Sequence, residues 1–282
     1  MHHHYIVIKL TFPSLFLPVM ALDDNLAAFM AELRPEHIAP LIDHTVLHAL
    51  TAEKDVDRVI SEAQEYGFAA VCIPARFVAY ASSQLSGSSV GLATVVNFPL
   101  ANDTDAAVCA ATADAIRNGA TEIDMVVNPS LVGSPLYAAQ IRAVAQTVLD
   151  NGGQMLKVII EAGYLSPEGV RDATQAVVSV AQDFPSLRFM TKTSTGMAQE
   201  AYLVAKYDGT KKTGARPEDL EIIYDAHRAS GLGNLGIKAS GGVRSFQDAG
   251  VALYAMGARS VADLHPTLYR LGTSSGVSIV KR

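Results

Sequence analysis

Cysteine is scarce in this sequence: Cys72 and Cys109 are the only two, and neither falls in a CxxC or zinc-like spacing. A disulfide framework finds no support, and free thiols in a reducing cytosol are the default expectation. Basic residues are scarce too, with 22 Lys and Arg against 28 Asp and Glu and a net charge of −6. Without a basic footprint, nucleic acid is not an expected partner. Charged residues make up 18% of the chain and hydrophobic residues 49%, which argues for a sizeable core and against disorder. A short repeat, a low-complexity linker and a GxGxxG turn after the first apolar run are also missing. The last absence weighs against an open dinucleotide-binding sheet.

A long uninterrupted apolar run is missing as well. The N-terminal segment MHHHYIVIKLTFPSLFLPVM is broken by Pro13 and Pro18 and followed by acidic Asp23 and Asp24. It is too short and too interrupted to span a bilayer, so no membrane partner is expected. A secretory signal is the alternative, but two prolines in its apolar part and the cytosolic look of the remainder argue against it. We read residues 1–20 as an extension or tag remnant outside the fold, with His2, His3 and His4 as tag-like and Met20 as a plausible domain start. Residues 21–282 are read as one domain, expected in the cytoplasm.

From about residue 38, apolar β-rich runs alternate with amphipathic stretches. The expected strands are LIDHT, AAVCIP, GLATVVNF, EIDMVV, LKVIIEAG, FMTKTS, GIKASGG and a last one leading into RLGTSSG. Most are nearly continuous apolar runs, as required when both faces of a parallel sheet are covered. Helical stretches lie between them. One opens at Asp103 or Thr104 as N-cap and ends at Gly119; another sets Ser166 before Pro167 at the first helical position. Eight strand–helix units at this spacing predict an α/β protein, a single (β/α)8 TIM barrel.

In such barrels the C-terminal ends of the strands carry the chemistry. Polar residues gather there: Asp43 and Thr45, Asn97, Asp124, Lys157 and Glu161, Lys192, and Lys238. An unpaired buried ammonium costs several kcal/mol, so each strand lysine needs a carboxylate partner, a lowered pKa or a chemical role. Lys192 and Lys238 fall on neighbouring strands. Two ammonium groups about 5 Å apart at an effective dielectric of about 20 repel by roughly 3 kcal/mol, or about two pKa units. Desolvation supplies the rest, leaving a neutral amine of the kind that forms an imine with an aldehyde. Asp124 is either a proton shuttle for that chemistry or a structural partner of Lys238 or Lys157. Lys157 is the runner-up nucleophile. The glycine turns STG at 194–196, SGG at 240–242 and GTSSG at 272–276 are read as an anion site.

Taken in order, LIDHTVL, AAVCIPARFV, ATVVNFPLAND, NGATEIDMVVN, LKVIIEAGYL, TKTSTG, IKASGGVRS and RLGTSSG resemble the deoxyribose-phosphate aldolases over most of the chain. The resemblance implies reversible cleavage of 2-deoxy-D-ribose 5-phosphate into acetaldehyde and D-glyceraldehyde 3-phosphate, with no metal and no cofactor. It implies that Lys192 of KTSTG is the Schiff-base residue. Lys238 of KASGG would lower its pKa and take part in proton relay, and Asp124 of EIDMV would donate and accept the proton. Asp43 and Thr45 would lie near the sugar hydroxyl, and Gly196, Gly241, Gly242, Gly272, Ser274 and Ser275 would hold the phosphate. The implied partners are a small phosphosugar and an aldehyde, and a homodimer is an assembly this barrel class allows.

The sequence departs from the family pattern in places. EAGYL stands where the family has ETG, a small-for-small change at Ala162. The link MAQEAYLVAKYDGTKKTGARPEDL is long and is read as surface elaboration rather than a lid carrying Lys211 and Lys212. The last tyrosine is Tyr269, which puts in doubt the proton exchange that a tail tyrosine assists in some members of the family. His44 is expected to be a buried, hydrogen-bonded residue, and Cys72 to face the pocket within reach of an aldehyde. Three other functions fit parts of this pattern: an aldolase for a longer keto donor, a barrel phosphosugar isomerase without an imine lysine, and a silent phosphosugar binder.

Overall fold

The computed structural model describes residues 24–198 and 214–281. Both the expected extension at 1–20 and the pair Lys211 and Lys212 lie outside the described residues. Eight parallel strands close into a barrel in chain order. They are β1 (Ile42–Thr45), β2 (Ala70–Ile73), β3 (Gly91–Val96), β4 (Glu122–Val126), β5 (Met155–Ile159), β6 (Arg188–Lys192), β7 (Leu235–Ser240) and β8 (Tyr269–Thr273). Strand β8 pairs back onto β1, so the sheet has no free edge.

The described helices surround this barrel. They are α1 (Asp24–Glu32), α2 (Pro35–Ile38), α3 (Glu53–Tyr66), α4 (Val78–Gln84), α5 (Asp105–Arg117), α6 (Pro135–Asp150), α7 (Pro167–Asp183), α8 (Pro217–Ser230), α9 (Phe246–Ala255) and α10 (Gly276–Val280). Their boundaries follow local chemistry. In α3 the buried residues Val56, Val59, Ile60 and Ala63 form one stripe at helical spacing, and Gly67 ends the helix at φ 67°. Thr104 caps α5, accepting from the Ala107 N–H, and Gly119 follows the helix at φ 108°. Ser166 caps α7 by accepting from the Gly169 N–H at 3.1 Å, with Pro167 next. Helix α1 was not among the expected elements. It buries Leu26 and Phe29, and Met30 reaches the face of α9 at Gly250, where a side chain would collide with it.

Period-two alternation divides each strand between two cores. On β4 and β5 the residues Ile123, Met125, Leu156 and Val158 point outward and pack under the helices in the main apolar cluster. The residues between them, Glu122, Asp124 and Lys157, point into the barrel. Branched aliphatic layers usually fill a barrel of this kind. Here ionised side chains fill the middle, and that position defines the site.

Candidate active site

Lys192 and Lys238 are Cα partners across β6 and β7. The pairing puts both side chains on the inner face at one height. Both Nζ atoms donate to the same carboxylate oxygen, Oδ2 of Asp124, each at 2.8 Å. Asp124 is in turn the Cα partner of Lys157 on β5, whose Nζ lies 3.0 Å from its Oδ1. All four residues are buried, with Lys192 the most accessible at 3%.

A second layer lies toward the N-terminal ends of the strands. Asp43 on β1 accepts from Lys238 and, through its other oxygen, from Arg270 on β8. Lys157 lies 3.0 Å from Asp43 and also pairs with Glu122. Arg270 closes the layer with Nη2 donating to Glu122 Oε1 at 3.0 Å and Nε to the Pro266 carbonyl at 2.7 Å. Beyond it, a cavity of about 350 Å³ opens at the bottom of the barrel, lined in part by Glu122 and Arg270. That opening lies opposite to the end reached by Lys192.

The electrostatics separate the three lysines. Burial pulls the Lys192 amine below its ordinary value; Asp124 works against that, and Lys238 adds to it. Burial also acts on Lys238 and Lys157, but Asp124 and Asp43 outweigh it and hold both above the ordinary lysine value. The cause of the Lys192 shift therefore differs from expectation. Desolvation comes first and the neighbouring ammonium contributes less, because Lys238 is itself neutralised by two carboxylates. Lys157, the runner-up nucleophile, touches three carboxylates and is held as a cation. Asp124 and Asp43 are fully buried, which favours the acid form, yet the surrounding cations hold both carboxyls well below the ordinary range.

The wall beside Lys192 is apolar. Ile159, its Cα partner on β5, packs with Val126 and Ala101, and Phe98 covers them. Glu161 follows β5 at φ 48° and accepts from the Thr195 N–H at 3.1 Å and from its hydroxyl. Burial raises the Glu161 carboxyl above its usual value despite those bonds. Cys72 lies inside the barrel with no exposed surface, within electrostatic reach of the three lysines and Asp124. Burial pushes its thiol up to about 11, so the reactive thiolate is disfavoured. His44 is buried and pairs with Glu62, which Arg58 also holds at 2.8 Å.

The turns beyond β6 and β7 meet closely. Gly196, Gly241 and Gly242 have φ of 77°, 83° and 86°, a region open to glycine. A Cβ on Gly241 would stand 2.9 Å from the Gly214 Cα and 3.2 Å from the Gly196 Cα. Thr193 Oγ1 donates to the Ser240 carbonyl and accepts from the Ser240 N–H, both at 3.1 Å. The Ala215 N–H donates to the Gly241 carbonyl at 2.9 Å, which anchors the end of the long link against this turn. Ser274 is exposed and Ser275 half-buried beyond β8.

Two expected contacts fall in other places. Gly272 lies within β8 rather than in the turn, and a Cβ there would stand 2.8 Å from Lys238 Cε. Its missing side chain makes room for the lysine. Asp43 has both oxygens engaged by cations in the second layer, while Thr45, half-buried above it, donates its hydroxyl to the Asp43 carbonyl at 2.9 Å. Glu122 and Arg270 were not anticipated. The available signal was a charged residue inside an apolar strand: Glu122 stands two places before Asp124, and Arg270 stands between Tyr269 and Leu271.

These features define the class, a (β/α)8-barrel enzyme with its ionisable groups gathered inside the strands. Comparison with known proteins agrees. A family model described as DeoC/LacD family aldolase matches residues 38–281. A deoxyribose-phosphate aldolase of Streptococcus equi subsp. zooepidemicus is 37% identical over 245 residues, covering 87% of this chain and 96% of its own. One from a Geobacillus species is 37% identical over 248 residues, 87% of this chain and 95% of its own. Among solved structures, the tetrameric deoxyribose phosphate aldolase of Aeropyrum pernix superposes with a TM-score of 0.71 at 26% identity, covering 91% of this chain and 95% of its own. The chain belongs to the DeoC/LacD aldolase family and is an aldolase, a carbon–carbon lyase.

Proposed function

We propose that this aldolase cleaves 2-deoxy-D-ribose 5-phosphate reversibly into acetaldehyde and D-glyceraldehyde 3-phosphate through an imine on Lys192. One observation carries the reading: Lys192, with its amine depressed by burial, shares the Oδ2 oxygen of Asp124 with the charged Lys238. The neutral amine adds to the C1 aldehyde of the open-chain sugar, and loss of water gives an iminium. Removal of the C3 hydroxyl proton then breaks the C2–C3 bond. The electron pair goes to the nitrogen side as an enamine, and glyceraldehyde 3-phosphate leaves. Protonation at C2 and hydrolysis release acetaldehyde and restore Lys192.

Each step moves a proton, and the geometry suggests its route. Asp124 is held ionised, so it passes the proton rather than storing it. Lys238 is held protonated on the same oxygen and serves as the store. The apolar wall of Ile159, Val126 and Phe98 suits the methyl end of acetaldehyde and keeps water off the enamine. We assign the phosphate to the turns of Gly196, Gly241 and Gly242 with Ser274 and Ser275, and the sugar hydroxyl to Thr45. Asp43, committed to Lys238, Lys157 and Arg270, acts through them. No helix among the described residues is long and apolar enough to cross a membrane. We place the enzyme in the cytoplasm, where the free Cys72 and Cys109 stay reduced. A homodimer is the assembly we put forward, to be checked by light scattering.

The test is borohydride reduction in the presence of deoxyribose 5-phosphate, followed by peptide mass mapping. A reduced adduct on the Lys192 peptide is the expected result. An adduct on Lys157 or Lys238 reverses the assignment of roles, and turnover without any adduct points to an isomerase.

A further inference from the structure

Seven ionisable side chains meet inside the barrel, none more than 7% exposed: Asp43, Glu122, Asp124, Lys157, Lys192, Lys238 and Arg270. Three are acids and four are bases, so this ion-paired set carries one surplus positive charge when fully ionised; the buried Glu161 beyond β5 is bonded to Thr195 instead, and burial pushes its carboxyl toward the acid form. A surplus charge without a partner is costly at this depth, and shedding one proton removes it. Arg270 cannot give it up, because a guanidinium stays protonated in proteins. Lys157 pairs with three carboxylates, Lys238 with two, and Lys192 with one. Lys192 loses least by becoming neutral.

We propose that Arg270 and Glu122, at the far end of this cluster from the reacting carbonyl, are positioning residues that set the protonation state of Lys192 through the charge balance. The inference rests on Lys192 as the imine residue. Arg270 acts through Asp43: its Nη1 engages Oδ1 while Lys238 and Lys157 share Oδ2. Glu122 acts through Lys157, which links it to Asp43 and Asp124. The groups nearest Lys192 are Asp124 from β4, Lys238 from β7, Cys72 from β2 and Glu161 after β5. Lys157, Asp43, Arg270 and Glu122 form the layer behind them. Removing Arg270 leaves a set that is neutral with Lys192 protonated. Removing the Glu122 charge leaves a set that is still positive after Lys192 has lost its proton. The two changes therefore push Lys192 in opposite directions, which a packing defect would not do.

The experiment measures borohydride-trapped adduct on Lys192 against pH, with acetaldehyde as the probe and folding followed by circular dichroism. The trapping midpoint is expected to rise by about one pH unit in Arg270→Met and to return to the wild-type value in Arg270→Lys. It is expected to fall by a similar amount in Glu122→Gln. The double variant Arg270→Met with Glu122→Gln removes one charge of each sign, and its midpoint should lie near the wild type. Should either single variant fail to fold, the double variant and Arg270→Lys decide, and a displaced midpoint in either overturns the proposal. Reduced trapping with an unmoved midpoint in the single variants, or shifts of the same sign, also overturns it. Absence of a wild-type adduct on Lys192 is a different result, and it removes the imine assignment itself.

Discussion

Lys192 and Lys238 face each other across adjacent strands and donate to one oxygen of Asp124, yet their surroundings shift the two amines in opposite directions from the ordinary lysine value. The difference comes from partners. Lys238 has Asp43 as a second carboxylate, whereas Lys192 has an apolar wall. In the reaction proposed above, one carboxylate between two lysines separates the nucleophile from the proton store.

Lys192→Ala should abolish cleavage, by about three orders of magnitude or more, while the protein still folds. Asp124 keeps Lys238 and Lys157 as partners in that variant, so no buried charge is stranded. Steady-state cleavage together with far-ultraviolet circular dichroism checks both halves.

Lys238→Leu should do more damage. Breaking a buried ion pair from one side costs about 3–5 kcal/mol, so a lower thermal midpoint is expected. Activity should be severely reduced and should appear only at higher pH, since Lys192 then becomes the balancing cation. The burial of Lys192 remains, so part of its depression persists. A pH–rate profile with an unshifted onset would contradict the electrostatic argument.

Gly241→Ala separates phosphate binding from chemistry. The position has φ 83° and its Cβ would meet the Gly214 Cα at 2.9 Å, so the turn must open. We expect KM for deoxyribose 5-phosphate to rise about tenfold, which corresponds to about 1.4 kcal/mol. Unphosphorylated deoxyribose should be turned over as before. Equal losses on both substrates would mean that the turn supports the barrel rather than the phosphate.

Stability should depend on pH in a definite way. Asp43 and Asp124 lie below their ordinary 3.8 in the fold, so their contribution is complete above that value and drains as the pH falls beneath it. Lys157 and Lys238 lie above 10.5, and what they contribute is lost only beyond it. Lys192 has the opposite sign: its folded value is lowered, so the unfolded chain binds more protons and stability rises with pH up to 10.5. Urea midpoints measured from about pH 3 to about pH 11 should fall at both extremes and climb gently between them.

Cys72→Ser should leave inactivation by acetaldehyde unchanged. The sequence suggested a thiol facing the pocket, and the side chain does lie inside the barrel. Its thiol is buried and raised to about 11, so little thiolate exists near neutral pH. Slower inactivation of the variant, measured as residual activity over time, would show that aldehyde reaches the sulfur.

Much of the architecture is legible in the sequence. Continuous apolar strand runs marked a sheet covered on both sides, and caps such as Thr104 and Ser166 marked where helices begin. The strand lysines were conspicuous because a charge in an apolar run demands a reason. Helix α1 is not legible in this way, because it lies before the repeating pattern and is explained only by its contact with α9 at Gly250. Glu122 and Arg270 carry no clear signal singly, since a charged residue near a strand start reads as a surface residue until its partner is known. Gly272 was legible as a glycine, but its reason, clearance for the Lys238 side chain, depends on a residue 34 positions away.

By itself the sequence determined which residues of a strand share a face, because strand alternation is a local property of the backbone. It also determined that ionisable residues stand inside apolar strands and that the strands are sequential and parallel. Only the tertiary structure decided how those charges are shared. Closing the barrel brings Asp43 from the first strand against Lys238 and Arg270 from the last two. Coulomb energy depends on distance and on the number of partners, and neither is written in local pattern. That closure, rather than the presence of any one lysine, makes Lys192 the base left without a second acid.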